Sequence, residues 1–88
     1  MSYHLAADAS IRNVHEIWPE LRAFIEAADA AMELDASVLQ RPDTALAQVL
    51  AMAALRARER GKKLNVIGAP QSLRDLICIL GLGIVFDE

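Results

Sequence analysis

Across residues 44–60, Leu46, Val49, Leu50, Ala53 and Ala57 recur on one face of a 3.6-residue period. The run is dense in Ala and Leu, which are strong helix formers. Asp43 stands where an N-cap belongs and Gly61 stands just past the last periodic residue, so the pattern predicts a helix over 44–60. A second stripe is Ile11, Val14, Trp18, Leu21, Ile25 and Ala28, with Asn13 and Glu16 spaced as a capping box. Pro19 interrupts that stripe, so the helix either kinks there or starts late enough to tolerate it. Pro70 opens a third helix, with Leu73, Leu76, Ile77 and Leu80 as its buried face and Gly81 as its stop.

Short apolar runs between the helices predict strands at 3–6, 31–34, 64–67 and 83–86. The order β-α-β-α-β-α-β implies an α/β fold: a small sheet of about four strands, mixed and partly parallel, with three helices. The crossover from the Met32 strand to the Val66 strand should be right-handed. Eighty-eight residues make one domain over 1–88, with a single core and little left for a deep substrate cavity.

Composition narrows the chemistry. Net charge is −3 and no basic stripe runs along the chain, which argues against nucleic-acid binding. Arg56, Arg58, Arg60, Lys62 and Lys63 read as a solvated turn that complements a helix dipole. The one cysteine, Cys78, lies in an apolar run and reads as a buried structural thiol, which suits a reducing cytosol. No apolar segment is long enough to span a bilayer and the first residues do not form a signal peptide, so a cytoplasmic protein is expected. His4 and His15 lack metal-ligand spacing, and neither a metal nor a cofactor is expected. Glu16 and Glu20 read as a solvated face, and Trp18 as core. A triad of Ser37, His15 and Asp35 would lack a nucleophile elbow and an oxyanion loop. Gly81-Leu82-Gly83 is not placed as a phosphate loop. These absences argue against an enzyme.

The informative stretch is 34–44. It reads as a buried strand, a tight loop and the pair Asp43-Thr44 opening the long helix. A phosphate on Thr44 would meet the free backbone N–H groups of the first helical turn. The outer side of the same helix carries Ala45, Gln48, Met52 and Leu55, an apolar stripe for a surface helix. Such a stripe docks a partner, packs in a homodimer, or belongs to a helix more enclosed than its pattern suggests.

The order of elements resembles the STAS family, the domain of anti-sigma factor antagonists. The resemblance rests on Leu34-Asp35, Asp43-Thr44, Gly61-Lys62-Lys63-Leu64-Asn65-Val66, Ala69-Pro70 and Leu80-Gly81-Leu82, in that order. Asp43-Thr44-Ala45 with Gln48-Val49-Leu50 is most similar to the branch encoded among chemotaxis genes of bacteria. The lipid-asymmetry transport accessory subunit is a more distant likeness. The resemblance implies a non-enzymatic signal-transduction switch, in which the hydroxyl residue after the Asp is phosphorylated by a partner kinase that is also the anti-sigma factor. The matching position is Thr44, and Asp43, Thr44, Ala45, Gln48, Met52 and Leu55 would form the docking surface. The alternative it implies is a constitutive accessory or scaffold subunit of a transporter or signalling assembly, without phosphorylation. Two features differ from the family pattern: Leu46 stands where Gly is frequent, and the stretch Ala6-Ala7-Asp8-Ala9-Ser10 stands where the classical antagonists have Gly-Glu-Leu-Asp.

Overall fold

The computed structural model describes residues 2–29 and 31–86. Its elements run β1 (Ser2–His4), α1 (Val14–Ala27), β2 (Ala31–Asp35), α2 (Thr44–Glu59), β3 (Lys63–Ile67), α3 (Gln71–Leu80) and a 3₁₀ turn at Gly83–Phe86. The sheet has the order β1-β2-β3 and both pairings are parallel. Register sets Tyr3 beside Leu34 and Leu34 beside Val66. Helices α1 and α2 pack on each other, so both crossovers pass over one face and share one hand.

Among the described residues, the opposite face is exposed. Met32, Leu34 and Leu64 point into the core, whereas Ser2, His4, Ala31, Glu33, Lys63, Asn65 and Ile67 are exposed. Parallel sheets are usually covered on both faces and read as continuous apolar runs. Here the strands alternate because only one face is covered, which is why the Ala31–Asp35 run looks short and half-polar in sequence.

The expectation of four mixed strands is corrected. Gly83–Phe86 forms a 3₁₀ helix, and the described sheet is three-stranded and wholly parallel. Helix α3 ends on Gly81 at φ +69°, and Leu82 N–H donates to Ile77 O at 3.0 Å. The chain then winds tightly, with Val85 N–H donating to Leu82 O at 3.1 Å. Val85 is the one fully buried side chain of this segment and anchors it against α2 and β3. An isolated anchor suits a turn, whereas a strand needs an alternating set and a paired edge.

The helical stripes shift in detail. In α1 the buried set is Ile17, Leu21 and Ile25, spaced four apart; Trp18 and Val14 pack at its margin and Ile11 lies outside, 64% exposed. Pro19 sits within α1. Asn13 is the N-cap residue, but its Oδ1 turns back to accept Ser10 N–H at 2.8 Å, so no capping box forms. In α3, Leu73 and Ile77 are buried and Leu80 is not. Cys78 is exposed, correcting the buried-thiol reading. It follows Ile77 by one residue, and that 100° step carries it off the buried face.

The basic turn is also more than a solvated end. Glu26 of α1 accepts from Arg56 Nη2 at 3.1 Å and from Arg60 Nη2 at 2.8 Å. These guanidiniums hold the Glu26 carboxyl below its ordinary pKa; the Arg60 hydrogen bond is the main cause. Lys62 Nζ donates to Ile25 O at 2.6 Å, satisfying a carbonyl that the end of α1 leaves open. Basic residues in the last turn of α2 and just after it therefore clamp α1 to it.

Candidate functional site

The carboxyl ends of β1 and β2 lead into two loops, residues 5–13 and 36–43, and these are stitched together before either helix starts. Gln40 N–H donates to Ala7 O at 3.0 Å. Asp43 makes the stronger link. Its Oδ1 accepts Leu46 N–H at 2.9 Å, capping α2, and its Oδ2 accepts Ile11 N–H at 2.8 Å from the other loop. One carboxylate thus caps a helix and ties down the preceding crossover.

Thr44 follows as the first residue of α2. It is exposed, and its hydroxyl has no hydrogen-bond partner among the described residues. Ala45 is half-buried and Gln48 exposed. Met52 and Leu55 are each 48% exposed, so the chain itself does not enclose them. Thr44, Gln48, Met52 and Leu55 lie along one outward face of α2, as the spacing of four, four and three residues requires. Leu46, Ala47, Val49, Leu50, Ala53, Ala54 and Ala57 fill the inward side. Leu46 is fully buried and holds a core position.

Beside Asp43 the two loops enclose a cleft of about 400 Å³, lined by Arg12, Arg41, Asp8, Asp43, Ser10 and Gln40 among others. Sequence reading passed over Arg12 and Arg41. They are 29 positions apart, and only the stitching of the loops brings them together.

The imagined triad does not assemble. His15 lies beside Glu16, at 3.8 Å. Asp35 instead accepts Ser37 N–H at 2.8 Å and stands 3.4 Å from His4 Nδ1. The Ser37 hydroxyl and N–H, and then His4, hold the Asp35 carboxyl below its ordinary pKa. The histidine beside Asp35 is His4, not the His15 of the triad. Ser37 is instead a packing point: a Cβ on Gly68, at φ +68°, would meet Ser37 Cβ at 2.8 Å. Glu20 accepts from Tyr3 Oη at 2.9 Å; burial, with this bond second, pushes the Tyr3 phenol up to about 12. No group of three His, Cys, Asp or Glu able to hold a metal occurs among the described residues. No helix of the described residues is long and apolar enough to cross a membrane.

The arrangement defines a small α/β domain whose distinctive chemistry lies on the surface, at one helix and the loops before it. A family model described as Mlab, STAS domain matches residues 3–86, and the chain belongs to the STAS family. That family includes anti-sigma factor antagonists and other interaction modules, and it is generally non-enzymatic. No curated protein matches the chain.

Proposed function

We propose that this domain is a cytoplasmic protein-interaction switch. It docks a regulatory partner, a serine/threonine kinase or anti-sigma-like protein, through Asp43, Thr44, Ala45, Gln48, Met52 and Leu55. Phosphorylation of Thr44 releases the partner. The observation that carries this reading is the unengaged Thr44 hydroxyl at the head of a half-exposed apolar stripe. A phosphate there adds about −1.5 to −2 charges. At a helix N-terminus the fold tolerates that charge, so the surface changes while the domain stays folded. The test compares wild-type, Thr44→Ala and Thr44→Glu baits against native lysate, with thermal melts alongside. A regulatory protein held by the first two and lost by Thr44→Glu, at unchanged Tm, supports the switch.

A second reading is a constitutive accessory subunit of a transporter or signalling assembly. Buried Leu46 supports it, because a bulky core residue stands where the switching members often have Gly. Equal capture by all three baits, with loss on Met52→Lys, would select this reading.

A further inference from the structure

The cleft between the two loops shares Asp43 with the docking surface and holds two arginines that lie outside it. Four charged side chains line it: Arg12, Arg41, Asp8 and Asp43. Formally they cancel, but they are not equally available. Both carboxylate oxygens of Asp43 already accept backbone N–H groups, from Leu46 and Ile11. Its oxygens are therefore engaged by a helix start and a loop tie, while its negative charge remains. Neither the Arg12 nor the Arg41 guanidinium has a hydrogen-bond or ion-pair partner among the described residues. Two exposed guanidiniums thus line one cleft with no protein acceptor among the described residues. Ser10 and Gln40 add a hydroxyl and an amide to the lining. Both Asp8 and Asp43 oppose an anion by charge, and Asp8 is the one whose oxygens no backbone N–H engages among the described residues.

Forked guanidinium donors match the oxygens of a phosphate monoester, which takes two bidentate partners at once. We propose that this cleft is an oxyanion site in which Arg12 and Arg41 hold a phosphate group, and that the phosphate of phosphorylated Thr44 is its occupant. The second half rests on the switch reading given above. Arg41 precedes Thr44 by three residues, a span of at most about 11 Å of chain. Asp43 connects the cleft to Thr44 directly. Phosphorylation would then add a further tie between the 36–43 and 5–13 loops, which are already hydrogen-bonded to each other. The partner would meet a locked, neutralised corner in place of two free cations.

The test titrates inorganic phosphate into the full chain and follows the Arg12 and Arg41 Nε–Hε signals by NMR. Chloride at matched ionic strength controls for screening. Saturable shifts of both arginines are expected, with binding at least tenfold weaker in Arg12→Gln/Arg41→Gln and tighter in Asp8→Asn. A double variant that binds as wild type does, or shifts that never saturate, overturns the site. The same titration is run on protein carrying phosphothreonine installed at position 44, where the free phosphate should no longer shift either arginine. Undiminished binding of free phosphate there overturns the assignment of the occupant and leaves a site for an external phosphate ester. If phosphothreonine fills the cleft while partner capture is unchanged, the switch reading fails and the oxyanion site stands.

Discussion

Asp43→Ala tests how much one side chain holds this corner together. The substitution removes two acceptors at once: the cap on Leu46 N–H at 2.9 Å and the tie to Ile11 N–H at 2.8 Å. An Asp N-cap contributes about 1 kcal/mol, and a hydrogen bond to an exposed carboxylate about 1 kcal/mol more. The expected loss is about 2 kcal/mol, against a total of about 5–15 kcal/mol for a domain of this kind. In urea unfolding, an m-value of about 1 kcal/mol/M turns this into a midpoint shift of ~2 M. Asp43→Asn separates the two contributions. Asn keeps one carbonyl oxygen for the cap and presents an NH₂ group to Ile11 N–H, so about 1 kcal/mol is lost. The Ile11 amide should then exchange faster with solvent while the Leu46 amide stays protected. A loss below about 0.5 kcal/mol in Asp43→Ala, the range of an ordinary surface substitution, would refute the dual role.

Leu46→Gly restores the residue frequent in the family, but Leu46 is fully buried here, so it should cost about 4–5 kcal/mol by cavity and backbone terms; a thermal melt within a few degrees of wild type would contradict its core position. Asp35 and Glu26 have carboxyls lowered from 3.8 and 4.5. Below those values the unfolded chain takes up protons first, so their contribution is complete above about pH 5 and is lost as pH falls through the folded values. Tm should therefore drop in that acid window, and Asp35→Asn/Glu26→Gln should flatten the drop; an unchanged slope counts against the pairs. Cys78 is exposed, so Ellman's reagent should titrate one thiol per chain in the native protein; reaction only after unfolding would place the thiol in the core.

Local pattern alone determined most of the helices, and long α2 most surely. Its period, its Asp43 cap and its Gly61 stop are all properties of neighbouring residues, and the observed helix ends one residue earlier, at Glu59. Strands β2 and β3 were legible for the same reason, within one residue. The exposure of Met52 and Leu55 followed from the helical period once the inward face was known. Tertiary structure decided the rest. Whether Gly83–Phe86 pairs as a strand depends on its approach to the β3 edge, which four residues of mixed pattern do not encode. Asn13 had the right spacing for a capping box, but Ser10 N–H competed for its side chain. The Glu26 cluster joins residues 30 and 34 positions apart, and the Arg12–Arg41 cleft joins two loops across a helix and a strand. Spacing along a chain predicts neighbours only within one helix or strand. Beyond that, the packing of α1 on α2 and the parallel register of β1 on β2 decide which side chains meet.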